Sequence, residues 1–409
     1  MRSRRRPIKP FAAPMIKASL LSLCRARRRG GIPGRLVFLG IKHAFLALFV
    51  VAALGPGLMG WSGAEGKAKE SNVPYLQEEV FILNGGITLA GTLTRPKTGK
   101  PFGAVILLQG SGPVNRDEEA FGWKPFQVLA DHLTRNGLAV LRFDSRGVGG
   151  SGGTAYQYDL NDVASDALAA VRYLKSRADI DHRRIGLCGH SQGGIVAPLC
   201  AAQSDDVSFI ICLSGTGLPG DVIFFAQQRA VSRTEGTTEA EWQEALGHLQ
   251  KFVGLIRARA ERADLEPVVR AIISKQIDNQ TKGKDSGVEK KSSELESKVD
   301  CILTGYNTPW FCSFLDYDPR PALAKVKCPV LLVFGELDLQ VPAEENRQAM
   351  VQALLKGSHN DFSIKTFPGA NHLFQTAVTG SPAEYERLPK EFVPGFLDFI
   401  SVWISQRIR

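Results

Sequence analysis

The tightest constraint on this chain lies in residues 185–199, IGLCGHSQGGIVAPL, where a short apolar run meets a helix-prone run through a glycine-bracketed serine. A strand entering through 185–188 and a helix leaving near Gln192 must reverse direction within a few residues. Gly189, two places before the serine, and Gly193 and Gly194 beyond it would let the two backbones pass at close range. Ser191 then stands at the tip of the turn in strained geometry with its hydroxyl exposed, as in a nucleophile elbow. An ordinary serine in a glycine-rich turn has the same spelling, so the motif needs partners elsewhere in the chain.

An elbow of this kind belongs between a strand and a helix, and the chain alternates between the two. EEVFILNGGITLAGTLTRP places two β-rich runs around Asn84, Gly85 and Gly86, a hairpin signal. AVILLQ, LAVLRFD, RIGLCG, VSFIICLSG, PVLLVFG and FSIKTFPG read as strands, most of them continuous apolar runs of the kind buried on both faces of a sheet. WKPFQVLADHLTRNG has helical spacing and a terminal glycine, and DLNDVASDALAAVRYLKSR opens on acidic caps. Further helices are expected over 343–356 and from Val393. The expectation is an α/β protein with a mostly parallel, doubly wound sheet whose N-terminal hairpin supplies antiparallel edge strands. Its body would comprise 75–220 and 310–409. The intervening 221–309 is polar, helix-prone and without strand signals, and is expected to form an inserted helical cap. The Lys- and Ser-rich tail of that stretch, 281–298, is expected to fray.

The formal charge of +9 over 409 residues is concentrated in one place. Residues 1–64 hold twelve Lys or Arg and no Asp or Glu, leaving 38 basic and 41 acidic residues, a formal charge of −3, for 65–409. The body therefore lacks the basic footprint of a nucleic-acid binder. The order within 1–64 is a charged region, the apolar AFLALFVVAALGPGLMGW and the small residues Ser62, Gly63 and Ala64. That order predicts an export signal or an uncleaved anchor with its arginines in the cytoplasm. A polar linker, 65–74, follows. The protein is expected to be periplasmic or extracellular, or anchored with its catalytic domain outside, and to meet a membrane only through this segment. Cys188, Cys200 and Cys212 lie in apolar runs and read as core residues, whereas Cys301 and Cys312 are candidates for a disulfide in an oxidising compartment.

A serine hydroxyl needs a base to accept its proton and an acid to orient that base. PVLLVFGELDLQVP puts Asp338 just beyond one buried strand, and FSIKTFPGANHLF puts His372 just beyond the next. Glu336 competes as the acid and His359 as the base, but Glu336 sits nearer its strand end and His359 precedes its strand. The chain order Ser191, Asp338, His372 is that of α/β-hydrolases and of neither other familiar triad. An oxyanion would be held by the backbone N–H of Gln192 and by a second donor in LLQGSGPVNRDEE, Ser111 first and Gly110 second. Arg116 and Asp117 are expected to stabilise that loop by pairing. RFDSRGVGGSGG lacks the spacing and the lysine of a phosphate loop, so Asp144 and Arg146 are read as structural. Metal-ligand spacing is also lacking, and no cofactor or metal is expected.

The stretches GSGPVNRDE, FDSRGVGGSGG, GHSQGG, PWFCSFLDYDP, ELDLQVP and NHLF, in this order, make the chain from about Leu76 onward similar to the α/β-hydrolase superfamily. Within it the chain resembles bacterial serine carboxylesterases whose oxyanion loop reads GSGPxxRDE. The resemblance implies cofactor-free hydrolysis of short-chain acyl esters, with a small-molecule ester as the partner and a cap over the acyl pocket. Trp310 and Phe311, where the cap rejoins the sheet, either line that pocket or pack the cap onto the body. A peptidase, thioesterase or acyltransferase of the same architecture stays open, as does a binding protein that keeps the fold without the chemistry. The leader yields a direct prediction: mass spectrometry of the protein from an exporting host should find a chain beginning just after Ala64 if the segment is a cleaved signal, and the intact leader if it is an anchor.

Overall fold

The opening hairpin forms from β1 (Tyr75–Asn84) and β2 (Ile87–Pro96), paired antiparallel across Gly85 and Gly86. Gly85 takes the positive φ, 59°, that a two-residue hairpin turn requires. Then β3 (Phe102–Leu108), α1 (Pro125–Arg135), β4 (Ala139–Phe143), α2 (Leu160–Lys175), β5 (Ile180–His190), α3 (Gln192–Ala201) and β6 (Phe209–Leu213) follow. Helices α4 (Gly220–Thr234), α5 (Glu239–Arg257), α6 (Arg262–Thr281), α7 (Val288–Tyr306), α8 (Pro309–Asp316) and α9 (Arg320–Leu323) come next. The chain closes with β7 (Val330–Gly335), α10 (Ala343–Lys356), β8 (Phe362–Phe367), a 3-10 turn (Pro382–Arg387) and α11 (Phe396–Arg407). The computed structural model describes residues 73–408 except 100, 235 and 282–287. Among these residues the strands make one sheet, ordered β1-β2-β4-β3-β5-β6-β7-β8. The sheet is parallel from β4 through β8 and antiparallel at the β1–β2–β4 edge, as expected.

The apolar strands are apolar because both faces are covered. Ile106, Leu141, Leu187, Ile210 and Leu332 point into a core closed by α2, α3 and α10. Their neighbours Val105, Val140, Cys188, Ile211 and Leu331 point the other way, into a core closed by α1 and α11. This is the two-residue alternation of a strand written entirely in apolar residues. Helix α2 starts at a reciprocal capping box between Asp159 and Asp162. Gly137, with φ 91°, lets the chain leave α1 for β4.

The strandless stretch between β6 and β7 folds as helices around an apolar cluster of its own, in which Phe224, Phe252, Tyr306 and Phe311 meet edge to face or tilted. Tyr156, Tyr158 and Ile195 of the body join that cluster and seat the insertion. One sequence expectation needs correction. From Val288 the Lys- and Ser-rich tail is helical rather than frayed: α7 buries Val299, Ile302 and Leu303 in the insertion core and is tied to α6 by Arg270–Glu296. Residues 282–287 lie outside the described residues. Cys301 and Cys312 are both free, with the Cys312 Sγ turned toward the Ile256 carbonyl at the end of α5. Cys188, Cys200 and Cys212 are fully buried, and burial pushes their thiols up. The leader, 1–64, and most of the linker lie outside the described residues.

Arg116 and Asp117 do not pair with each other, because the two side chains diverge from the loop. Arg116 donates Nε and Nη2 to the two oxygens of Asp144, at 3.2 and 2.8 Å, and Nη1 to Glu79, while Asp117 takes Arg142. Asp144, almost wholly buried, also accepts the Arg116 and Gly150 backbone N–H groups. One carboxylate thus joins the GSGP loop to the glycine-rich loop after β4, which is the structural role expected for it; Arg146 similarly holds Asp166 on α2. Removing one partner of such a pair leaves the other charge poorly compensated. Asp144→Ala should therefore lower unfolding free energy by about 3 kcal/mol or more, read by urea denaturation.

Candidate active site

The β5–α3 turn is built by backbone passing backbone. A β-carbon on Gly189 would lie 1.9 Å from the Gly193 carbonyl oxygen, and one on Gly193 would lie 2.1 Å from the Leu108 carbonyl oxygen. Neither gap admits a methyl group. Between them Ser191 sits at φ 53°, ψ −113°, a left-handed φ that costs a non-glycine residue on the order of 1–3 kcal/mol. Its N–H donates to the Leu213 carbonyl of β6 and its carbonyl accepts from Gly194 N–H, so both sides of the turn are fastened.

The loops after β7 and β8 bring the expected acid and base together. His372 Nδ1 and Asp338 Oδ2 are 2.8 Å apart, both buried. The second oxygen of Asp338 accepts the backbone N–H groups of Gln340 and Val341, each at 2.8 Å, which fixes the carboxylate against β7. Asn371 holds the base loop by accepting the Leu373 and Gln375 N–H groups. The two competitors are elsewhere: exposed Glu336 accepts the Gly369 N–H, and His359 lies against the Asp361 carbonyl before β8. Ser191 and His372 line one cavity. Among the described residues no direct hydrogen bond joins them, and contacts of this kind tighten when substrate binds.

Of the three residues proposed to hold an oxyanion, Ser111 and Gln192 border the cavity at Ser191. Gly110 also lines the site, but its N–H is committed to Glu118 Oε1 at 2.7 Å and is not available as a donor. That engagement leads to residues the sequence reasoning missed. The same Oε1 of Glu118 lies 2.8 Å from His190 Nδ1, and His190 Nε2 is 2.9 Å from the His372 carbonyl. Glu118 and His190 are only 6% and 5% exposed, and Glu118 holds a left-handed φ of 53°. Burial opposes a charge on His190, but the Glu118 carboxylate, its hydrogen bond and the His372 carbonyl outweigh it and raise the imidazole pKa. Both residues sit inside the motifs GSGPVNRDE and GHSQGG, where a carboxylate and an imidazole in two loops of one site were the available signal.

Two cavities flank Ser191. The larger is lined by His372, Leu373, Tyr385, Val114 and Phe121; the smaller by Ile195, Ile223, Gln227, Phe314 and Val341. Tyr385, also missed from sequence, is buried in the 3-10 turn, and burial together with the Asp338 charge pushes its phenol up, so it stays neutral. Trp310 and Phe311 are buried in the insertion cluster rather than lining either cavity; Phe314, one turn further along α8, takes the wall position. Trp310 Nε1 donates to the Gln192 side chain, fastening α8 to the elbow. Among the described residues no cluster of three His, Cys, Asp or Glu side chains converges as a metal site.

Residues 105–388, more than half of the chain, match the model of the alpha/beta hydrolase family. With the doubly wound sheet and the elbow above, the chain belongs to that family. It is 26% identical over 310 residues to the esterase EstD of Thermotoga maritima, covering 76% of this chain and 63% of that protein. An uncharacterised Mycobacterium tuberculosis protein is 39% identical over 141 residues, 34% of this chain and 46% of its own length. A hypothetical protein of Pseudomonas aeruginosa, solved as a crystal structure, shares the fold at a TM-score of 0.50 and 16% identity, covering 86% of this chain and all of that one.

The Glu118–His190 pair makes stability depend on pH in a definite direction. A histidine whose pKa is raised on folding adds stability that is complete below its unfolded pKa, about 6.5, and is lost as pH climbs through the folded value. Glu118→Gln should cost about 3 kcal/mol at the acidic end of that window and less above it. The slope of stability against pH should flatten, as read by denaturant unfolding across the range.

Proposed function

We propose that this protein is a serine hydrolase that cleaves carboxylic esters with short acyl groups through an acyl-enzyme. Ser191 is the nucleophile, His372 the base and Asp338 the group that orients it. The observation carrying this reading is the 2.8 Å contact from His372 Nδ1 to the fully fastened Asp338, with His372 lining the same cavity as Ser191 on its strained turn. The printed name of the Thermotoga relative, an esterase, supports the same reading.

The reaction follows from the groups present. His372 Nε2 takes the Ser191 proton as Oγ bonds to the ester carbonyl carbon, and the carbonyl oxygen becomes an oxyanion. The backbone N–H groups of Ser111 and Gln192 donate to it; removing one such donor typically lowers turnover by about a hundred- to a thousandfold. The protonated imidazole then gives its proton to the alcohol oxygen as the carbon–oxygen bond breaks. Water, deprotonated by the same imidazole, attacks the acyl-enzyme and returns the serine, releasing the acid. Asp338 orients the imidazole and compensates the imidazolium. Helices α4–α7 act as the cap over the acyl side, and the leader delivers the catalytic domain outside the cytoplasm.

Ser191→Ala should lower kcat/KM for aryl acetates by roughly ten-thousandfold or more and abolish labelling by an organophosphate probe, which should mark Ser191 alone in the wild type. A variant that kept wild-type turnover would sink the mechanism. A panel of esters, thioesters and peptides run on the same protein separates the ester reading from its acyl-transfer relatives.

A further inference from the structure

The two cavities at Ser191 differ in which of them reaches the base. Ser111, Ser191 and Gln340 border both, but His372 lines only the larger. In ester cleavage the alcohol oxygen must leave where the imidazolium can protonate it. The alcohol therefore occupies the larger cavity, and the acyl chain the smaller one. This assignment rests on the ester-hydrolase reading above.

The smaller cavity is walled by Ile195, Ile223, Phe314 and Val341, yet buried polar side chains, Gln192, Thr216 and Gln227, interrupt its apolar lining. Gln227, on α4, is 2% exposed. Its Nε2 reaches Gln340 Oε1 only at 3.4 Å, and its Oε1 has no hydrogen-bond partner. Two other polar side chains of the wall are already engaged. Thr216 donates to Asn346 at 2.6 Å, and the Gln192 oxygen accepts from Trp310. An amide oxygen buried without a donor is unfavourable, and a bound group that supplies a donor recovers much of that. Nothing in the hydrolytic mechanism uses Gln227.

We infer that the acyl group taken by this site is a short chain bearing a hydroxyl, which donates to Gln227 Oε1 at the insertion side of the cavity. A hydroxyl both donates and accepts, so it satisfies either end of the amide. A plain acyl chain of the same length leaves that amide buried and unpaired. A site that hydrogen-bonds a substrate hydroxyl discriminates against the analogue lacking it more strongly than an apolar pocket discriminates by size.

The test compares matched phenyl esters on the full-length protein: butyrate with β-hydroxybutyrate, and hexanoate with ω-hydroxyhexanoate. The wild type should favour the hydroxylated member of at least one pair by about tenfold or more in kcat/KM. Gln227→Leu, which keeps the bulk and removes the amide, should bring that ratio to about one. Turnover of the plain esters with Ser191 labelled by the organophosphate, but no hydroxyl preference at either length, overturns the inference and leaves the esterase reading standing. A preference that persists unchanged in Gln227→Leu also overturns it. No turnover of any ester, with Ser191 unlabelled, removes both. Equal wild-type rates within both pairs overturn the inference even if the variant fails to fold.

Discussion

The passage of one backbone across another at Gly189 and Gly193 fixes the positions of three strands as well as of one serine. A β-carbon on Gly193 would strike the end of β3, and one on Gly194 would come within 2.7 Å of the Gly215 Cα beyond β6. The turn is therefore wedged between the strands that flank β5 in the sheet. A left-handed serine persists only where its surroundings over-determine it. Here the over-determination is the parallel sheet itself, pressed against α3 at backbone distance. That packing holds the half-buried Ser191 at the cavity wall.

The strain at Ser191 is matched by a second fastening in the neighbouring loop. Glu118, also at a left-handed φ, spends one carboxylate oxygen on both Gly110 N–H and His190. His190 adjoins the serine and reaches back to the backbone of the base. Loops from β3, β5 and β8 thus converge on one buried ion pair. A buried charge is costly unless it is paired and hydrogen-bonded. The pair's free energy is consequently lowest when all three loops are in register, which is the arrangement the proposed reaction needs. The proposed triad leans on this tie without containing either residue.

Much of the architecture was legible because it follows from local chemistry. Asn84-Gly85-Gly86 announces a hairpin, the continuous apolar runs announce strands covered on both faces, and Ser191, Asp338 and His372 each follow such a run. What escaped depends on side-chain direction, which periodicity does not carry. Nothing in RDE says that Arg116 turns to Asp144 while Asp117 turns to Arg142 and Glu118 turns inward. Cys301 and Cys312 look pairable by spacing, yet the Cys312 sulfur faces α5. Trp310 and Phe311 lie at the expected junction, but a helix presents different faces at successive residues. The cavity wall thus fell to Phe314, three places after Phe311. The charged tail before Val299 looked too polar to order, but packing by one apolar face of α7 was sufficient.

The division of labour between body and insertion follows from which elements line which cavity. In the proposed reaction the loops of the sheet supply the groups that move a proton, and the Asp338–His372 pair among them is fastened by buried hydrogen bonds. The insertion side of the small cavity, by contrast, is walled by Ile223 and Gln227 from α4 and Phe314 from α8. The ion pairs joining the insertion helices, such as Arg270–Glu296 and Arg262–Asp300, are largely exposed and contribute little. Its seat on the body is therefore mainly apolar, through Tyr156, Tyr158 and Ile195, with Trp310 bonded to Gln192 as a polar pin. Gln192 also carries one of the proposed oxyanion donors in its backbone. A shift of α8 would consequently act on the elbow through this side chain, so the helix that walls the small cavity also bears on the geometry of the proposed oxyanion donor.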